Sequence, residues 1–340
     1  MTGAPAGRGS KSATLVTRAA AIAAAVSTLT SCVGQGGTVL PHALAPAEPP
    51  SVELADTPFY ADAEHQFAPA ALAIVLNASG AATTAAELEA LLATPSPNTT
   101  MQARLLTVPH QFARLSYRIA PDLAAVQAEL EGGRPVLVRL NSGASLLSKW
   151  RFAVVIGYDA PADTIVLRSA AARRQALPAR SFMLTWSNAD RWAMLVLRPG
   201  ELPAAVSRDR YLEAAADFQP DARPQDAVLA FDAALKRWPD EPLAWIGRAG
   251  VRLQAGDLVA ASHDLSTALR IDGSNAEARD SLAMALLDLG CIHKAQGQID
   301  KIAETALPAA QRRSVERSRD RIADRSQNLL AQEPPVCAQF

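Results

Sequence analysis

The sequence predicts an α+β domain with N-terminal helices and an antiparallel sheet, followed by an all-α array of repeats. Three observations carry that expectation. Between residues 58 and 203, stretches with apolar side chains at helical spacing come first and short β-branched runs come later, which is the order of an α+β domain. Beyond residue 208 the pattern recurs every 34 residues, with alanine and glycine in fixed columns. Aromatics make up only 5% of the chain and alanine is abundant, which suits close-packed helices better than a sandwich of sheets.

At 340 residues the chain is long enough for two domains, so a single core is not expected. A formal net charge of −1 gives no broad pull toward nucleic acid or an anionic membrane. The N-terminus is more specific. Arg8, Lys11 and Arg18 precede the apolar run 19–25, which is shorter than the roughly 20 residues a spanning helix needs. Basic residues followed by a short apolar run read as a signal peptide, here 1–31. Its ending, Leu29-Thr30-Ser31-Cys32, resembles a bacterial lipobox, which implies a diacylated Cys32 as the first mature residue. An ordinary cleavable signal or an uncleaved anchor is the alternative. Val33 and Gly34 follow with no Asp, as in lipoproteins sent to an outer membrane. A lipid-anchored envelope protein facing the periplasm is therefore expected, given a Gram-negative source. Cys291 and Cys337 remain; outside the cytoplasm they could pair, but two such cysteines form no disulfide framework, and the pairing is left open.

Residues 32–57, rich in Gly, Pro and Ala, read as an extended tether. The domain at 58–203 opens with a helix over 69–78, which has Pro69 at its start. Further helices are expected at 85–92 and at 124–131, the latter stopped by Gly132-Gly133. Strands are expected at 135–140, 152–158, 164–167 and 193–197.

In the repeats, Ala215, Ala249 and Ala283 share one column, and Ala227, Ala261 and Ala295 a second. Phe231, Leu265 and Ile299 form a third, and Gly256 and Gly290 occupy the corner between paired helices. Small residues let paired helices approach, while the larger ones fill gaps between neighbours. With Trp245, Ala234, Ala268 and Pro239 at the consensus positions, the segment resembles three tetratricopeptide repeats, at 208–241, 242–275 and 276–309. A charged capping helix at 310–331 and a disordered tail at 332–340 complete the expectation.

The run His65-Gln66-Phe67-Ala68-Pro69-Ala70-Ala71-Leu72-Ala73 is similar to the active-site helix start of the papain-like cysteine peptidases that process bacteriocin leaders. A second landmark of that family appears as Arg151-Phe152-Ala153-Val154-Val155-Ile156-Gly157-Tyr158-Asp159. Lipoproteins of this family with C-terminal tetratricopeptide repeats match the whole layout. The resemblance implies a papain-like fold, but its chemistry is missing. Phe67 stands where the family has its nucleophilic Cys, and Arg151, which cannot serve as a general base, where it has His. Ser169 stands where the orienting Asp is aligned, and Ala61 and Asp62 where the oxyanion-hole Gln belongs.

The expected function is therefore an envelope scaffold with a catalytically inactive peptidase-like domain, binding a protein or peptide partner through its repeats. The alternative is an active cysteine peptidase, against which stands the absence of any Cys between Cys32 and Cys291. A serine hydrolase using Ser142 or Ser169 has no supporting motif. His65 and His110 read as surface histidines, and the Arg173-Arg174 pair as a solvated turn. No metal-ligand spacing, phosphate loop or nucleic-acid stripe is present, so no cofactor, metal or nucleic acid is expected.

Overall fold

A computed structural model describes residues 51–61, 67–93, 99–143, 149–302, 307–327 and 333–340. The expectations for the signal peptide, Cys32, most of the tether, Asp62 and His65 lie outside these residues.

Seven strands form one antiparallel sheet: β1 (Ser51–Glu53), β2 (Leu115–Arg118), β3 (Val136–Asn141), β4 (Trp150–Asp159), β5 (Thr164–Ser169), β6 (Ala172–Pro178) and β7 (Ala193–Leu197). The order is β2-β7-β3-β4-β5-β6, and β1 pairs with the far end of β4 beyond β3. β1 lies in the stretch expected to be tether, so the sheet starts before residue 58. Gly157 permits it, because a Cβ there would run into the Val52 carbonyl and the Glu53 backbone. Arg174 on β6 then clamps the new strand, donating to both carboxylate oxygens of Glu53 at 2.9 Å. Arg173 and Arg174 thus belong to a strand, not the expected surface turn.

α1 (Phe67–Ala78) packs on one face of the sheet. Nine successive residues, Ala68 to Leu76, are buried, so this helix is apolar all round because it is covered all round. Its layer includes Leu137, Phe152, Val154, Ile156 and Met194, and α2 (Ala85–Ala93) closes over it with Leu88 and Leu92. Alternation sends Val136, Val138, Ala153, Val155 and Leu195 to the opposite face, which α4 (Leu123–Glu131) and α5 (Ala179–Ser187) cover. Asp122 caps α4 by accepting from Ala125 N at 2.8 Å. α3 (Met101–Thr107) and a 3₁₀ turn (Val108–Phe112) precede β2.

Three helix pairs follow: α6 (Arg208–Phe218) with α7 (Pro224–Arg237), α8 (Pro242–Gln254) with α9 (Leu258–Ile271), and α10 (Ala276–Asp288) with α11 (Ile292–Ile299). The chain thus adopts the expected class, an α+β domain with an antiparallel sheet followed by an all-α array. The column residues Ala215, Ala249, Ala261, Ala268, Ala283 and Ala295 are buried between helices. Gly256 and Gly290 turn the corners at φ of 78° and 85°, a conformation that a side chain would strain. Trp245 is half-buried and donates from Nε1 to the Pro239 carbonyl at 2.8 Å. α12 (Ala309–Gln327) lies in the stretch expected to cap the array and buries Val315, Ser318 and Ile322.

A further expectation fails. The tail is ordered: Pro335–Gln339 forms a 3₁₀ turn, Cys337 is buried and bonded to Cys291, and Val336 and Phe340 pack against the third pair. The disulfide and these apolar contacts hold a segment too short to fold by itself. The cores are not divided at residue 203, however. One cluster lies wholly in the sheet domain around α1 and another wholly in the later repeats around Leu282 and Leu286, but a third runs from Leu115, Tyr117 and Leu195 in the sheet through Tyr211 and Phe218 of α6 to Phe231 and Val251. α6 is thus the first repeat helix and also a cover for the sheet.

Candidate functional site

Phe67 occupies the first turn of α1 and packs, partly buried, against the α1 layer. A nucleophile at this place would have the positive end of a helix behind it; an aromatic ring there can only pack. Arg151 is half-buried in β4 opposite Leu140, and alternation gives it the face of Ala153 and Val155. Phe67 and Arg151 therefore belong to different layers. Ser169 ends β5, buried and paired with Ala172. The three sequence-predicted positions do not make a site with shared chemistry.

The structure puts a different group on the α1 side of the sheet. Arg168 is 3% exposed and pairs in register with Val154. It donates to the Arg173 carbonyl at 2.8 Å, and more loosely to the Pro58 and Ala55 carbonyls at 3.5 and 3.4 Å. Burial pushes its pKa down from the ordinary arginine value, with Arg173 adding to the effect. Its partners are backbone carbonyls, so its role is to fasten the segment leading into α1. On the other face, the Tyr158 hydroxyl donates to Glu131 at 2.6 Å; this bond and burial push the phenol up to about 12. Neither group is poised to transfer protons near neutral pH.

The repeats offer a more open surface. A groove of about 460 Å³ runs between α8, α10 and α12, with Leu253 and Met284 as its apolar part and Asp280, Asp288, Arg317 and Arg321 as its charged part. One oxygen of Asp280 accepts from Ser314 Oγ at 3.0 Å, while the other is buried without a partner among the described residues. Leu243, at the start of α8, is 58% exposed.

Beneath this surface lies a buried charge network that sequence reading missed. Asp264 on α9 is fully buried, accepts from Arg248 Nε and Nη2 at 2.9 and 2.7 Å, and accepts from Arg252 at 2.7 Å. Arg248 also lies over the Trp245 ring, 4.7 Å from its centroid and within cation–π range. Burial alone would push the Arg248 pKa down, but its hydrogen bonds to Asp264 and Asp232 outweigh that and raise it. The network stiffens the helix pairs that present the groove. Its signal in the sequence was Arg248 sixteen residues from an acid on either side, Asp232 and Asp264.

His110 is also not the expected surface histidine. It is 4% exposed, meets Phe218 edge-on with ring centroids 5.4 Å apart, and lies 3.2 Å from Asp221. The cause is non-local, since α6 and the turn after it cover the 3₁₀ turn. Among the described residues no helix is long and apolar enough to cross a membrane, and no group of three or more His, Cys, Asp or Glu is arranged to hold a metal ion.

No protein-family model matches the chain. A peroxisomal targeting signal receptor of Saccharomyces cerevisiae is 34% identical over 87 residues, 26% of this chain. The chain spans only 14% of that curated relative's length. Among solved structures, a C39-like peptidase from Bacillus anthracis is similar over 44% of this chain and 98% of its own, with a TM-score of 0.38 and 14% identity. The TPR2B domain of yeast Sti1 in complex with pHsp70 is similar over 36% of this chain and 98% of its own, with a TM-score of 0.32 and 16% identity.

Proposed function

We propose that the chain is a lipid-anchored envelope scaffold, in which a peptidase-type domain without catalysis carries helical repeats that hold a protein or peptide segment. The observation that carries this reading is the chemistry at the start of α1. Phe67 fills the nucleophile's place, and of the three cysteines two are joined to each other while Cys32 is the expected lipidation site. No thiolate is then left to attack a peptide bond. The groove of α8, α10 and α12 has features a binding role needs: half-buried apolar side chains, a carboxylate oxygen without a partner among the described residues and a rigid support. Its mixed charges, two acids and two arginines beside Leu253 and Met284, suit a segment that carries both apolar and polar side chains.

A thiol-directed probe on the full-length chain should label nothing, and cross-linking in the envelope should capture one dominant partner that Asp280→Ala together with Leu253→Ala releases. Specific peptide cleavage lost in a Phe67 or Arg151 variant would overturn the reading. Palmitate incorporation that disappears in Cys32→Ala tests the anchor separately, with a Gram-negative outer-membrane fraction as its expected location.

A further inference from the structure

The junction between the sheet and the repeats holds a second cleft, of about 330 Å³, between α3 and α6 with strand β2 as its floor. On α6, Arg210, Glu213 and Asp217 recur at helical spacing and share the face that lines it. On β2, Leu115 and Tyr117 point into the core, so alternation turns Ser116 and Arg118 toward the cleft. Leu106 supplies an apolar wall.

Two features distinguish this cleft from an ordinary charged surface. Ser116 is only 6% exposed, yet its hydroxyl has no hydrogen-bond partner among the described residues; buried hydroxyls are nearly always paired. In addition, none of the four charged side chains is in an ion pair within 4.0 Å among the described residues, although two cations and two anions ring the same small volume. We propose that the cleft binds a small zwitterion, a free α-amino acid or a di- or tripeptide. The arginine forks match its carboxylate, Glu213 and Asp217 accept its ammonium group, and Ser116 completes the ring of polar contacts. The two acids disfavour a phosphate-like dianion, and the two arginines disfavour a simple cation. The volume is at the small end for ligand sites, so a long peptide does not fit. Because its walls come from both the sheet domain and α6, a bound ligand bridges the two. This cleft is separate from the repeat groove, so its ligand is independent of the scaffold reading.

Calorimetric titration of the full-length chain with L-alanine, L-alanyl-L-alanine and N-acetyl-L-alanyl-L-alanine amide tests the proposal. One of the two zwitterions should bind with a stoichiometry of one, and the blocked dipeptide about tenfold more weakly, since it lacks both charges. The tighter of the two identifies the source as a free amino acid or a peptide. Glu213→Gln and Arg118→Gln, both at exposed positions, should each weaken binding about fivefold with an unchanged circular dichroism spectrum. Absence of binding by both zwitterions, equal binding of the blocked dipeptide, or indifference to both substitutions would each overturn it.

Discussion

The bond between Cys291 and Cys337 makes the sharpest claim about stability, because it ties the end of the chain to the corner of the third helix pair. The two residues are 46 apart, and closing a loop of that size removes denatured-state entropy worth about 4 kcal/mol at room temperature in the chain-entropy model. Both cysteines are buried, at 0% and 4% exposure, and Val336 and Phe340 pack beside them, so the native state loses little by being linked. Cys337→Ala should therefore destabilise the chain by about 2–4 kcal/mol, the lower figure allowing for residual structure in the unfolded chain. Urea titration followed by the helical circular dichroism signal measures the loss, provided the slope of the transition is unchanged. Alkylation without reductant, read by mass spectrometry, should find neither thiol free in the parent protein. Two alkylated cysteines would refute the pairing, and a variant with the parent's urea midpoint would refute the stabilisation.

Two further perturbations test the charge placements. Asp264→Ala leaves the half-buried Arg248 and Arg252 without their shared acceptor, though Arg248 keeps Asp232, and should cost about 3 kcal/mol in the same urea titration; a loss below about 1 kcal/mol would mean the network is solvated. For Glu53, the hydrogen bond from Arg174 holds the carboxyl below its ordinary 4.5 despite some burial. A depressed acid stabilises the fold above its unfolded value and loses that contribution as pH falls through its folded value. The Leu54 amide, which donates to Ile156 O at 2.7 Å, should then lose protection relative to its intrinsic exchange rate below pH 4.5, a loss that Glu53→Gln abolishes by removing the titrating group.

What could be read from the sequence follows from how local its physical cause is. The repeat columns were visible because close helix packing demands Ala at Ala249 and Ala283, and because a left-handed corner demands Gly at Gly256 and Gly290. The strands of 152–158 and 193–197 were visible as apolar runs bounded by turn residues. β1 was hidden because three residues beside a proline-rich stretch carry no periodicity; its order comes from Gly157 and Arg174, more than a hundred residues away. α5 carried a signal that went unread, Phe182 and Trp186 one turn apart and both buried. The tail was hidden for the same reason as β1, since its order depends on the distant Cys291. That Phe67, Arg151 and Ser169 stand at the three aligned positions is a matter of residue identity and needed only the resemblance, whereas the cleft around Ser116 needed α6 to be laid over β2.

That overlap decides whether the two parts can be separated. The Tyr117 hydroxyl accepts from Ser207 N at 2.9 Å, and its ring lies 6.4 Å from that of Tyr211. Glu129 is fully buried and, besides its ion pair with Arg134 at 2.7 Å, accepts from Ala205 N at 3.0 Å. A chain ending at residue 203 keeps every strand but loses both donors and uncovers Leu115, Tyr117 and Leu195, which α6 otherwise buries together with Tyr211 and Phe218. Exposing those three side chains forfeits about 1.5–3 kcal/mol each, comparable to the whole stability of a small domain. The truncated chain 51–203 should accordingly be aggregation-prone or lack cooperative urea unfolding, whereas a chain ending at 241, which retains α6 and α7, should unfold cooperatively. A soluble 51–203 fragment with a sharp transition would show that the sheet carries its own core and that α6 is merely apposed to it.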